Sequence, residues 1–332
     1  MNRVKGALFG VAFGDALGAP TEFMSIEKIA RQYGPRGPRT LPEWAEVTDD
    51  TQMMLAVGDA LASATRTPEV TAQTLEPRLR DRFLTWWDSP ENDRAPGGTC
   101  MSACRRMAYG AAWSVATDRN SKGCGANMRV VPMGLARGLT DEQRSGAAQL
   151  QAAMTHGHPT ALAASDLTAF AVHELANGAG TEGLLSAMLE RTYTHRYVYH
   201  DAWLGDLWKR RGVGSPEEFI ATGWDACFDA LIGLDEALGE LGPDADPCEA
   251  GGGGWVAEQA LATATYCLLR FPEDPVGVIA RAAASSGDSD SIAAIAGGLA
   301  GAAYGAQAWP AEWFEQIEYS AELDRLSQEL YT

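Results

Sequence analysis

The stretch Ser285–Gly305, SSGDSDSIAAIAGGLAGAAYG, places two aspartates one residue apart, Asp288 and Asp290, ahead of a run made almost entirely of alanine, glycine and isoleucine. An aspartate or serine at a helix start ordinarily caps it, accepting backbone N–H bonds at the positive end of the helix dipole. One cap needs one such residue. Asp288, Asp290 and Ser291, in Asp-x-Asp-Ser order, also form the oxygen set that a hard cation such as Mg²⁺ or Mn²⁺ prefers. Ile292 stands where an EF-hand loop would need its next ligand, so that calcium motif is excluded. A doubly acidic cap and a cation site are thus the two readings of these residues. The helix that follows lacks bulk, as does Gly6–Ala19, GALFGVAFGDALGA. Helices lined with small residues can approach closely, and packing alone accounts for those glycines.

The same ligand chemistry recurs far upstream. In VTDDTQMMLAV (47–57), Thr48, Asp49 and Asp50 precede another amphipathic run. Two distant helix starts, each with paired aspartates beside a hydroxyl, can converge on a pair of divalent ions that orient a substrate and activate water; two unrelated caps are the plainer alternative. Between these points apolar residues recur at three- and four-residue spacing, as in 51–64, 167–176 and 255–271, and no series of alternating strands is evident. Gly- and Pro-rich breaks at 33–42, 89–98, 122–125 and 241–254 are too short to be domain linkers. The pattern predicts one all-α domain spanning 1–332, of about a dozen helices, with functional loops at their ends.

Composition narrows the function. The chain has 332 residues and a formal charge of −18, with 44 acidic against 26 basic side chains. That balance argues against nucleic-acid binding, which demands clustered Lys and Arg. Six cysteines form no C-x-x-C pair and read as buried thiols in a reducing compartment. The apolar N-terminal run is interrupted by Asp15 and lacks a signal-peptide pattern, and no segment approaches the roughly 20 apolar residues of a membrane span. A cytoplasmic enzyme or binding protein, without membrane association, is the expectation.

Other motifs are weaker singly. His156 and His158 in MTHGHP suggest a zinc pair but have no third ligand at a recognisable spacing. The loops APGGTC (95–100), KGCGAN (122–127) and GGGGW (251–255) could wrap a diphosphate with backbone N–H groups, or be ordinary turns. Neither a P-loop nor a strand-borne G-x-G-x-x-G is present.

Taken in order, GALFGVAFGDALGAPTEF, TDDTQM, GGTC, GCGANMRVVPMGL, THGHP, GGGWVAEQAL and GDSDSIAAIAGGLAGAAYG resemble the ADP-ribosylglycohydrolase family. The likeness is strongest to the branch of dinitrogenase reductase-activating glycohydrolases and ADP-ribosyl-arginine hydrolases, and it runs from about Gly6 to Gly305. The resemblance implies a single compact orthogonal helical bundle with a binuclear Mg²⁺ or Mn²⁺ centre at the bottom of an ADP-ribose cleft. Carried over by position, Thr48, Asp49 and Asp50 would ligate metal from one side and Asp288, Asp290 and Ser291 from the other, Ser291 replacing the more usual threonine. Glu22 matches an acidic residue beside the metals. Gly97, Gly98 and Thr99 match a ribose- and phosphate-contacting loop, Gly123, Gly125 and Ala126 a diphosphate loop, and His156 a pocket histidine.

Two departures stand out. The nitrogenase-regulating branch carries an aspartate ahead of a Gly-Asn-Thr loop, proposed there as a proton-transfer group; here Ala95 takes its place and Gly98 replaces the Asn, with Asp93 as the nearest substitute. An insertion between about 197 and 246, carrying Trp203, Trp208 and Trp224, is read either as extra packed helices or as a cap or docking surface. The expected activity is removal of mono-ADP-ribose from a modified protein side chain, arginine first, which reverses an ADP-ribosyltransferase in a regulatory or toxin-protective (immunity) role. Hydrolysis of an O-linked serine or ester ADP-ribose is a second reading. A protein that binds ADP-ribose or blocks a transferase without turnover is the third, favoured by Ala95.

Overall fold

The computed structural model describes residues 1–331, which form nineteen α-helices, five of them only four or five residues long, and three 3₁₀ turns. Pairing between extended segments is limited to three isolated bridges among the described residues. The architecture is an all-α, compact helical bundle, and it is organised around one pair of helices.

That pair is Asn2–Gly18 and Ser289–Tyr304. Every residue from Gly6 to Gly18 is buried, as is every residue from Ser289 to Ala302. A spacing of four keeps Gly6, Gly10, Gly14 and Gly18 on one helical face. Each meets backbone of the partner: a Cβ at Gly10 would overlap the Gly297 carbonyl, at Gly14 that of Ala293, and at Gly18 the Cα of Asp290. The contact is reciprocal, since a Cβ at Gly297 or Gly301 would overlap the carbonyl of Gly10 or Gly6. Each helical glycine costs about 1 kcal/mol of intrinsic propensity relative to alanine, so the helices persist because their backbones touch. Phe9, Phe13, Trp309, Trp313 and Phe314 pack together on another side of the N-terminal helix, and Trp309 Nε1 donates to the Gly6 carbonyl at 2.9 Å. The seam ends at Gly18 and Asp290, so the close approach of two backbones fixes where the first acidic cluster stands.

The helices around this axis deliver the remaining loops. Asp49–Ala64 begins on Thr48, whose side chain accepts from the Asp50 N–H, a short-range cap of the kind threonine favours. Pro159–Ala176, buried along nearly its whole length, begins on His158, whose Nδ1 accepts from the Thr160 N–H at 3.2 Å. His158 is a cap and not half of a zinc pair. The 197–246 segment folds into Asp201–Leu204, Pro216–Leu231 and Leu234–Glu240. Trp203 and Trp224 are buried, and a Cβ at Gly223 would overlap the Pro159 carbonyl. No residue of this segment lines the cleft described below. All six cysteines are free, and no helix among the described residues is long and apolar enough to cross a membrane.

Candidate active-site cleft

Seven chain segments meet at an open cleft of about 210 Å³. Its acidic wall is made by Glu22, Asp49, Asp50, Asp288 and Asp290, with Ser291 beside them; Ala95, Gly97, Gly98 and Thr99 form a second wall, and Gly123, Gly125 and His156 a third. Residues separated by more than two hundred positions are thereby joined. Glu22, Asp288 and Asp290 present oxygens within 4.8 Å of one another. No Lys or Arg lines the cleft, and none of its carboxylates has an ion pair among the described residues.

The capping reading of Asp288 fails on geometry. Asp288 occupies the position before the Ser289–Tyr304 helix, but its side chain makes no capping hydrogen bond, while its own N–H donates to the Gly253 carbonyl at 2.8 Å. Asp290 Oδ1 accepts from the Ser291 N–H at 2.9 Å, and Asp49 Oδ2 accepts from the Gly97 N–H at 3.3 Å. Asp50 Oδ1 is buried and has no partner. A buried carboxylate oxygen without a donor is costly, and here it sits among further carboxylates. Burial and mutual repulsion push the group up together: Asp49 to about 8, Glu22 to about 7, and Asp50 and Asp288 well above the ordinary carboxylate value. The donor set is all oxygen, orphaned in part and unpaired by any protein cation, which fits a hard divalent cation.

Asp15 is the residue that sequence reading overlooked. It is fully buried near the end of the N-terminal helix. Its Oδ2 accepts from the N–H of Thr48 at 3.0 Å, the N–H of Thr51 at 3.1 Å and the Thr51 hydroxyl at 2.6 Å. It therefore fastens the Thr48–Asp50 turn to the central helix pair. Burial and the nearby Asp290 raise its pKa to about 7. The signal was a lone carboxylate in an otherwise apolar Gly/Ala run, which must find donors once buried. From the 251–255 loop Trp255 lines the cleft, and Met128, Cys100 and Cys124 line it too. Burial pushes both thiols up, so they are inert at neutral pH.

The remaining predicted residues divide. A Cβ at Gly97 or Gly98 would meet no protein atom within 4 Å, so packing does not require glycine there and the space belongs to the cleft. Thr99 Oγ1 lies 3.1 Å from Ser121 Oγ, linking this loop to the Gly123 loop. Gly123 and Gly125 border His156: a Cβ at either would stand 3.3 or 3.2 Å from its ring. His156 Nδ1 is 2.8 Å from Thr155 Oγ1, which accepts from the wholly buried Arg129. Burial and that guanidinium hold the His156 pKa down to about 3, so its ring is neutral. Thr48 and Ala126 are not among the residues that line the cleft; Thr48 caps its helix, and the Ala126 carbonyl accepts from Gln151 Nε2 at 2.8 Å. Asp93 does not reach the cleft. It is exposed and pairs with Arg94 at 3.4 Å, while Arg94 is anchored by Glu318 at 3.1 Å and the Val47 carbonyl at 3.0 Å. Ala95, two residues on, does line the cleft, in a left-handed conformation with φ 54°.

Known proteins resemble this chain over nearly its full length. The ADP-ribosylglycohydrolase family model matches residues 1–332. The chain is 27% identical over 326 residues to the ADP-ribosyl-[dinitrogen reductase] glycohydrolase of Rhodospirillum rubrum, covering 97% of this chain and 92% of that protein. It is 27% identical over 343 residues to an ADP-ribosylarginine hydrolase of Pseudomonas putida (strain GB-1), covering 100% and 78%. A solved structure, described as an ADP-ribosylglycohydrolase-related protein complex, superposes with a TM-score of 0.69 at 27% identity, covering 99% of this chain and 97% of the other. With the family model matched from end to end and the all-α fold shared with a solved structure, the chain belongs to the ADP-ribosylglycohydrolase family.

Proposed function

We propose that this protein is a metal-dependent hydrolase that removes mono-ADP-ribose from a modified arginine side chain, and so reverses an ADP-ribosyltransferase. The observation that carries the reading is the convergence of Asp49, Asp50, Asp288, Asp290 and Glu22 in one cleft that contains no protein cation and leaves Asp50 Oδ1 without a partner. The relatives from R. rubrum and P. putida, whose names specify ADP-ribosyl and ADP-ribosylarginine hydrolysis, support the choice of bond. A cytoplasmic site of action, with an ADP-ribosylated protein as substrate and a transferase as antagonist, completes the proposal.

Thr48, Asp49 and Asp50 would hold cation from one wall, and Asp288, Asp290 and Ser291 from the other. Two Mg²⁺ or Mn²⁺ ions bound there would supply positive charge to orient the ribose hydroxyls and acidify a water. The chain's own residues do the rest. Gly97, Gly98 and Thr99 leave room for ribose and phosphate, and the backbone of Gly123 and Gly125 faces the diphosphate, with the neutral His156 ring as a floor that adds no charge. Breaking the anomeric C–N bond gives the ribose oxocarbenium character. Water adds to that carbon, Glu22 takes the proton the water loses, and the departing guanidine nitrogen recovers it. Asp93, turned to solvent on Arg94, is left out of this step.

The test incubates purified protein with an arginine-ADP-ribosylated protein in Mg²⁺, Mn²⁺ or EDTA and measures released ADP-ribose. Release is expected only with the cations, and the Asp288→Ala, Asp290→Ala double variant should lose about 10³-fold, equivalent to about 4 kcal/mol of barrier. A second reading, a protein that binds ADP-ribose or blocks a transferase without turnover, is favoured by Ala95, which lines the cleft where the resemblance implies an aspartate. Tight ADP-ribose binding without release from arginine-linked or O-linked substrate would establish it.

A further inference from the structure

Phe23 and Trp255 are both exposed, at 78% and 48%, yet their rings stack on each other with centroids 5.6 Å apart and planes within 20°. Large aromatic rings left in water at the rim of a cleft call for an occupant. Their attachment says which end of the cleft they serve. Phe23 directly follows Glu22; Trp255 sits two residues past Gly253, whose carbonyl accepts the Asp288 N–H at 2.8 Å, and its own carbonyl accepts from the Cys124 N–H at 3.2 Å. Phe23 has φ 61°, a left-handed conformation that an aromatic residue seldom adopts. Phe23 is thus carried by the acidic wall, where the bond would be broken, and Trp255, which lines the cleft, joins that wall to the Gly123 loop. The group that leaves from that end is the protein side chain, not the adenosine.

Resting on the hydrolase reading above, we infer that the Phe23–Trp255 pair is the recognition platform for the guanidinium of the modified arginine and sets the preference for arginine over hydroxyl-linked ADP-ribose. A planar, weakly hydrated cation stacks favourably on an aromatic face. Glu22 beside the rings offers a carboxylate to the same cation, and the acidic wall lacks any Lys or Arg that would repel it. A serine- or ester-linked substrate presents no cation at this point, so it gains nothing from the rings.

Two peptides of matched sequence, one ADP-ribosylated on arginine and one on serine, test this with Mg²⁺ present. Wild type should favour the arginine peptide. Trp255→Ala should lower kcat/KM on that peptide about tenfold, mostly through KM, with Phe23→Ala giving a smaller loss in the same direction. Trp255→Phe should retain most activity, and free ADP-ribose should bind all variants equally by calorimetry. Equal losses on both peptides, weakened ADP-ribose binding in Trp255→Ala, or a wild-type preference for the serine peptide would each overturn the inference. If wild type hydrolyses neither peptide, the hydrolase reading fails by itself. The two peptides are then compared by affinity: an arginine preference that vanishes in Trp255→Ala upholds the platform, and no preference overturns it.

Discussion

The buried carboxylate Asp166 and the buried carboxylates of the cleft are accommodated in opposite ways. Asp166, in the Pro159–Ala176 helix, is 1% exposed and faces Arg191, 5% exposed, at 2.8 Å. Gln149 donates to its other oxygen at 2.8 Å, Ser145 donates as well, and His200 closes on Ser145 at 2.9 Å. Burial alone would push Asp166 up, but Arg191, Ser145 and Gln149 together hold it below the ordinary carboxylate value. In the cleft no cation opposes burial, the Gly97 N–H on Asp49 and the Ser291 hydroxyl on Asp288 offset it too little, and Asp49, Asp50 and Asp288 rise instead. Both groups are buried in a chain carrying 26 basic side chains. One was given a cation from within the protein and every oxygen a donor; the other was left open to solvent and uncompensated. Net charge therefore says little about where compensation falls, and the uncompensated group marks the place where an external cation belongs.

Substitution is the hardest test of that contrast. Asp166→Ala leaves Arg191 buried without its main partner, although Asp141 still reaches it at 3.2 Å. Unfolding by urea should then show a loss of about 3 kcal/mol. Asp50→Asn in the cation-free protein should go the other way or be neutral, because it removes one uncompensated charge. A comparable loss at both sites would dissolve the distinction. A smaller effect separates the two by ligation. Adding Mg²⁺ or Mn²⁺ at a hundredfold excess over its dissociation constant should stabilise the protein by about 2.7 kcal/mol. The increment should persist in Asp166→Ala, if that variant is folded, and vanish in Asp288→Ala, Asp290→Ala. Thermal shift in cation-depleted and cation-loaded buffer reads it directly.

The gentlest test is pH. Asp49 at about 8, and Asp15 and Glu22 at about 7, all lie above their ordinary values of 3.8 and 4.5. Between pH 4 and 8 the folded, cation-free chain thus holds more protons than the unfolded one, and its stability should fall as pH rises through that window, by about 1.4 kcal/mol per unit for each extra proton. Asp166 has the opposite sign. Its contribution is present above the unfolded carboxylate value and is lost only as pH falls below it. Saturating divalent cation should flatten or invert the neutral-range slope while leaving the acid limb in place. A slope that is unchanged by cation would place the titrating groups elsewhere.

The legibility of the sequence follows the range of the forces involved. Helix content was readable because apolar spacing is local, and the paired aspartates were readable because each cluster is contiguous. The failure of Asp288 to cap was not, since Gly253, 35 positions away, determines what its N–H does. Asp15 was visible as an interruption, but its partners Thr48 and Thr51 come from another helix. Asp93 looked adjacent to the cleft in sequence, and the left-handed turn at Ala95 together with the Arg94 anchor on Glu318 directs it to solvent. Phe23 and Trp255 each lay in a motif legible in the sequence, but the stacking of the two rings had no signal there, because it exists only where the two segments meet.

The glycine face of the central helix pair has a consequence at the level of the gene. Every missense change of a glycine codon creates a residue with a Cβ. At Gly6, Gly10, Gly14 and Gly18 that atom has backbone to displace and no flexible side chain to push aside. At Gly18 the backbone is that of Asp290 itself. In a population of random variants, every fourth codon of the first helix should therefore be emptied of tolerated changes, and Gly18, which lines no cleft, should score like a residue of the active site.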